Sequence, residues 1–214
     1  MKILISMTVT FLLLGCTPEK VFKPTEIECE ELEDSILPLC LENTWDYQYS
    51  RFDTNDSLFL TALTLDTITM EVNYTVSLWT NENSFTGFGI SSLIIDPYRF
   101  ETSYLKNNPD GLYYAIREGT IIETESIEIS RAIPYPTEPG DSTIFIDYLV
   151  LTVSDSVQVT VPSGTFTCIQ YDGVKNGSLI GQMWCAPNVG IIKSWQFGGF
   201  SEKLVHELIG YELH

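Results

Sequence analysis

The sequence predicts an all-β fold, an antiparallel sandwich, barrel or strongly curved sheet, and three observations carry that expectation. Over residues 68–78 the apolar Ile68, Met70, Val72, Tyr74, Val76 and Leu78 alternate with Thr69, Glu71, Asn73, Thr75 and Ser77, the period-two pattern of a strand with one buried face. Further short runs rich in β-branched and aromatic residues follow one another between turn clusters, as in antiparallel sheets. Beyond the N-terminal apolar stretch, no twelve-residue segment shows a helical period of 3.6.

Taken in order, the first of these runs are "TWDYQYSRF" (44–52) and "SLFLTALTL" (57–65), with turns expected near Thr54-Asn55-Asp56 and Leu65-Asp66. After the 68–78 run come 85–95, 111–119, 120–129, 143–153, 156–161, 164–173, 178–186, 190–197 and 203–213. "AIPYPTEPGDS" (132–142) holds three prolines and must be a loop between sheet segments, because proline cannot donate to a central ladder. No blade-length or solenoid repeat is present.

Asn176-Gly177 is the strongest local signal, since both residues accept the positive φ of a two-residue type I′ hairpin turn. With that turn, Cys168 falls opposite Cys185 at a non-hydrogen-bonded pair, where the Cα separation of about 4.5 Å permits a disulfide. A bulge or rival turn at Asp172-Gly173 would slip the register by one, leaving two buried free thiols as the alternative.

The N-terminus begins with Lys2 and then "ILISMTVTFLLL", too short to span a bilayer as a helix and of the length of a secretory h-region. It ends in Leu13-Leu14-Gly15-Cys16, which resembles the lipobox of bacterial lipoproteins. That resemblance implies cleavage before Cys16 and acylation of its thiol and amine, a stable anchor because several chains share the load. By resemblance to the enterobacterial sorting rule, Thr17 implies the outer membrane. Setting Cys16 aside leaves an even four, and pairing Cys168 with Cys185 leaves Cys29 to pair with Cys40 around a short local loop. The division expected is a signal peptide over 1–15, a lipidated cysteine, acidic linker and Cys29–Cys40 clip over 16–43, and one β domain over 44–214.

Without the signal, ten basic side chains face 29 acidic ones, a formal charge of −19. A phosphate backbone is bound by basic patches, so nucleic acid is excluded as a partner. The acidic surface also repels anionic headgroups, so the domain is expected to stand off the membrane on its tether, where Glu26, Glu28, Glu30, Glu31, Glu33 and Asp34 read as a solvated run. No Cys-x-x-Cys occurs and the only histidines are His206 and His214, so neither metal nor other cofactor is expected.

The C-terminal half carries a second resemblance. "IPYPTEPGDS", "VTVPSGTFTCIQYD" and "WCAPNVGIIKS", within residues 133–195, together with "DGLYY" at Asp110, resemble a pattern of uncharacterised lipoproteins and exported proteins of Bacteroidota. The resemblance implies a single curved antiparallel sheet, half-barrel or barrel-like with little helix, distantly similar to the periplasmic lipoprotein carriers of the LolA/LolB type, which hold acyl chains. This chain departs from those carriers in having no segment that reads as their plugging helices. Structurally, Pro162 and Gly164 fit a corner before Phe166, and Gly190 after Pro187-Asn188-Val189 fits a positive φ or a close approach.

No catalytic residue is assigned. There is no Gly-x-Ser-x-Gly elbow, a Ser-His-Asp triad would have to use His206 inside a strand, and abundant carboxylates alone do not mark a glycosidase. "DTND" (53–56) lacks the other ligands of an EF-hand loop, and "FGGF" (197–200) reads as a turn. Trp45, Trp79, Trp184 and Trp195 could line a glycan or lipid groove, although aromatics also dominate β cores. The reading is therefore a non-enzymatic lipoprotein of the cell envelope, anchored to the membrane by lipid, whose sheet binds a hydrophobic small molecule or an amphipathic ligand. The alternative is a module that binds an envelope protein in a surface assembly, and a glycan-active hydrolase is the remote third.

Overall fold

The structure, a computed structural model, describes residues 29, 34–53, 61–79, 84–91, 104–119, 124–145, 149–197 and 202–214. The signal segment, Cys16, the Thr54-Asn55-Asp56 turn and residues 198–200 lie outside them. Twelve strands form one antiparallel sheet: β1 (Thr44–Asp53), β2 (Thr61–Trp79), β3 (Ser84–Ser91), β4 (Tyr104–Asn108), β5 (Gly111–Gly119), β6 (Thr124–Pro134), β7 (Ser142–Phe145), β8 (Leu149–Val161), β9 (Gly164–Lys175), β10 (Ser178–Ala186), β11 (Gly190–Phe197) and β12 (Glu202–Glu212). Their order is β6-β5-β4-β3-β2-β1-β12-β11-β10-β9-β8-β7, so every neighbour is a sequence neighbour except β1 and β12. No helix occurs among the described residues.

The sheet curls until its edges meet. Thr143 Oγ1 on β7 donates to the Arg131 carbonyl on β6 at 3.1 Å, and Arg131 Nη2 donates to the Ser142 carbonyl at 3.4 Å. These contacts nearly close a barrel. The bend comes from register shifts on successive ladders, among them Val72/Tyr74, Leu112/Tyr113 and Val153/Ser156, because each bulge increases local twist. The 68–78 alternation lies within β2, which runs without interruption through Leu65 and Asp66. The turn expected there does not form: β1 pairs across it, with Ser50 opposite Leu65 and Tyr49 opposite Asp66.

Asn176 and Gly177 make the expected hairpin turn with φ of 53° and 77°, and Lys175 faces Ser178. The disulfide expected from it is absent. Val174 pairs with Leu179 but Gly173 pairs with Gly181, so Ile180 is an extra residue on β10 and the register slips by one beyond it. Cys185 then faces Ile169, and Cys168 and Cys185 are two buried free thiols. Cys29 and Cys40 are bridged to each other.

One end of the barrel is filled by the segment before β1. Ile36, Leu37 and Leu39 are at most 2% exposed and join the core made by Trp45, Tyr47, Met70, Leu105, Leu112, Ile133 and Leu208. Backbone and side-chain bonds hold this plug. Asn107 Nδ2 donates to the Leu37 carbonyl at 2.8 Å, Asn188 N donates to the Ser35 carbonyl at 2.7 Å, and Ser35 N donates to Asn188 Oδ1 at 3.0 Å. Thus the packed domain begins before residue 44, and Asp34 still touches it by accepting from Tyr135 Oη at 2.5 Å.

Candidate binding cavity inside the barrel

Period-two alternation decides what faces inward, and the inward residues change character along the barrel. On β1 the inner face reads Trp45, Tyr47, Tyr49, Arg51 from the plugged end downward. On β12 it reads Leu208, His206, Leu204, Glu202, and on β11 Ile192, Ser194, Gln196. The plugged half is apolar. There the two polar aromatics spend their donors on backbone, Trp45 Nε1 on the Val189 carbonyl at 2.6 Å and Tyr47 Oη on the Ile191 carbonyl at 2.9 Å.

The other half carries hydrogen-bonding groups among apolar ones. Arg51 Nη2 bonds both carboxylate oxygens of Glu202 at 2.5 Å, a charge pair neutralised in place. His206 is 1% exposed, stacks against Tyr49 at 5.1 Å between ring centroids and shares a 3.3 Å hydrogen bond between Nδ1 and Ser194 Oγ. Burial pushes its pKa down to about 4, so the ring is neutral near pH 7.

Beside these groups lies an open pocket of about 70 Å³, walled by Leu149, Leu151, Ile180 and Met183 and reached by Ser194, Gln196 and, from the outer-face residues of β10 and β11, Gln182 and Trp195. Two glycines create it. Gly173 and Gly181 are cross-strand partners, so where both strands would place a side chain into the barrel there is none. A Cβ at Gly173 would meet Leu149 Cδ1 at 3.4 Å and Leu151 Cδ2 at 3.6 Å, so the wall beyond the notch is leucine. Gln196 Nε2 is buried there without a hydrogen-bond partner among the described residues. A buried amide donor left unpaired is costly.

The residues singled out by sequence fall elsewhere. Cys168 and Cys185 are in the core, where burial raises the Cys168 thiol to about 11 and holds Cys185 well above its ordinary value, with Cys168 adding to the effect. Among the described residues no group of three His, Cys, Asp or Glu is placed to hold a metal ion. His214 ends the chain at the plug, its backbone N–H donating to Asn43 Oδ1 at 2.7 Å. Trp45 is core, and the side chain of Trp79 lies outside the described residues.

Trp184 and Trp195 belong to the outer face and to one network. Trp184 Nε1 donates to Gln170 Oε1 at 3.0 Å and Trp195 Nε1 to Gln182 Oε1 at 2.8 Å. Both glutamines donate onward to Asp172 Oδ1, at 2.9 and 2.8 Å, while Ser154 donates to Asp172 Oδ2. Lys203 Nζ sits 4.3 Å from the centroid of the Trp195 ring, occupying the face a stacked ligand would use. The notch and the buried Gln196 donor were invisible in sequence. Paired glycines at 173 and 181 are their only trace, and it acquires meaning only with the register.

No protein-family model matches the chain, and no curated protein matches it. Among solved structures, a protein from Bacteroides fragilis described as exported and of YmcC-like fold is 14% identical, with a TM-score of 0.40 over 83% of this chain and 98% of its own. A protein from Parabacteroides distasonis described as a lipoprotein is also 14% identical, with a TM-score of 0.37 over the same shares. Both are distant likenesses of the chain.

Proposed function

We propose that this chain is a non-catalytic lipoprotein of the bacterial cell envelope, held to the outer membrane by acyl chains on Cys16, whose barrel interior takes an apolar or amphipathic ligand. One observation carries the reading: away from the plug, the sheet holds an open, apolar-walled notch where two cross-strand glycines leave space. Apolar walls left open to water gain free energy when a ligand covers them. The cavity holds a small group or the end of a chain, being about half the size of a cavity that holds benzene.

The test is native mass spectrometry of protein isolated from its own cells, with and without organic extraction. A reproducible small-molecule adduct removed by extraction supports the reading; an adduct-free protein that also fails to take up an apolar fluorophore overturns it. The anchor is checked separately, by the mass of the N-terminal peptide, expected to begin at Cys16 with its acyl groups.

A second reading, a module docking an envelope protein, draws on the seam between β6 and β7. Ile129 and Ile144 are exposed there, 38% and 67% respectively. Crosslinking through a cysteine placed at 144 tests it, with a specific partner band expected and its absence in repeated membrane preparations decisive against it.

A further inference from the structure

Resting on the proposed interior site, we infer that Gly173 is the specificity-determining position of the pocket: the unbranched end of an alkyl chain occupies the space that its missing side chain leaves.

The two glycines of the notch are there for different physical reasons. Leu151, Gly173, Gly181 and Gln196 stand in one row across β8, β9, β10 and β11. At Gly181 the backbone itself forbids a side chain, since a Cβ would lie 2.7 Å from the Trp195 carbonyl oxygen. At Gly173 nothing forbids one. Its φ is not positive, and a Cβ would meet the Gly181 carbonyl oxygen and Leu149 Cδ1 at 3.4 Å and Leu151 Cδ2 at 3.6 Å, all ordinary contacts. Yet Gly173 is buried in the interior of β9, where a glycine weakens the strand and offers no side chain to pack. The backbone accepts a side chain at 173, so the fold does not account for the glycine; what the glycine provides is the space of the pocket.

The walls and the size of that space set the ligand. Leu149, Leu151, Ile180 and Met183 present hydrocarbon, so the buried part of the occupant is hydrocarbon too. A volume of about 70 Å³ is about half that of a cavity that holds benzene, which excludes a six-membered ring and admits a few methylenes. Each of the two strands lacks a single side chain here, so the slot is one side chain wide, as an extended alkyl chain is. The pocket is open, and the far end of the ligand stays in water.

The test follows the Met183 methyl resonance in the full chain carrying ¹³C-methyl methionine, titrated with 1-pentanol and with cyclohexanol. Pentanol is expected to shift Met183 saturably with a Kd on the order of millimolar, as suits so few atoms, and cyclohexanol to bind about tenfold more weakly because a ring overpacks the slot. Gly173→Ala fills the space of about one methylene and is expected to weaken pentanol by about fourfold; Gly173→Val is expected to abolish the shift. Urea unfolding supplies the control: the midpoint of Gly173→Ala is expected to be no lower than that of the parent, whereas Gly181→Ala lowers it. If cyclohexanol binds as well as pentanol, if Gly173→Ala leaves the pentanol Kd unchanged, or if Gly173→Ala lowers the urea midpoint as Gly181→Ala does, the role of Gly173 is overturned, while a saturable Met183 shift leaves the interior site standing. If neither alcohol moves Met183, both fall.

Discussion

Leu37 lies so close over Gly190 that a Cβ at position 190 would come within 2.6 Å of the leucine Cδ1. Gly190 also has a φ of +109°, a backbone region that side chains disfavour. Gly190→Ala therefore strains the β11 start and pushes the plug outward, for an expected loss of roughly 2 to 4 kcal/mol. Urea unfolding checks this, and a variant as stable as the parent would mean that Leu37 does not seat the plug.

The thiols give a second expectation. Cys168 and Cys185 are fully buried, and burial lifts both above the ordinary range, Cys168 to about 11. At pH 8 only about one Cys168 in a thousand is thiolate. Iodoacetamide should leave both untouched in the native protein and modify both in concentrated urea without reductant, whereas Cys29 and Cys40 should react only after reduction. Two thiols that resist alkylation in urea would instead show a bond between Cys168 and Cys185.

Acid should find His206. Its pKa falls from an ordinary 6.5 to about 4 through burial. The unfolded chain then takes up a proton near pH 6.5 that the barrel refuses until about pH 4. Stability from the neutral ring is complete above pH 6.5 and is lost as the pH drops to about 4, by roughly 3 kcal/mol in all. His206→Gln should flatten the decline between pH 7 and pH 4.5 by about 2 kcal/mol, measured as urea stability at each pH. Parallel curves for the two proteins would place the acid sensitivity elsewhere.

Asp172 is the hub of the outer network. Burial alone would raise its pKa, but the hydrogen bonds from Ser154, Gln182 and Gln170 outweigh that and hold it below the usual 3.8. Asp172→Ala leaves those donors unmatched and loosens both indoles, at an expected cost of roughly 2 kcal/mol. Tryptophan emission should shift to the red together with the loss of stability. An unchanged spectrum would show that Gln170 and Gln182 hold Trp184 and Trp195 without the carboxylate.

The strands were legible because period two is a property of neighbouring residues: the alternation from Ile68 to Leu78 lies within β2 as read. The Asn176-Gly177 turn was legible for the same local reason. The pairing of Cys168 with Cys185 failed because register is a relation between strands, and one extra residue at Ile180 resets it without altering the composition. Likewise Ile36, Leu37 and Leu39 stand in a stretch whose acidic neighbours mark it as linker, although they lie in the core. Only closure of the sheet supplies the surface that buries them. Gln196 reads as one more polar residue in a strand until its cross-strand partner proves to be a glycine.

The bridge from Cys29 to Cys40 straddles Ile36, Leu37 and Leu39. A mechanical load pulling at residue 29 therefore passes through sulfur to Cys40 and on into the start of β1, and the hydrophobic stopper between them carries no tension. Shear applied from the N-terminal side would have to unzip a strand before it could uncork the barrel.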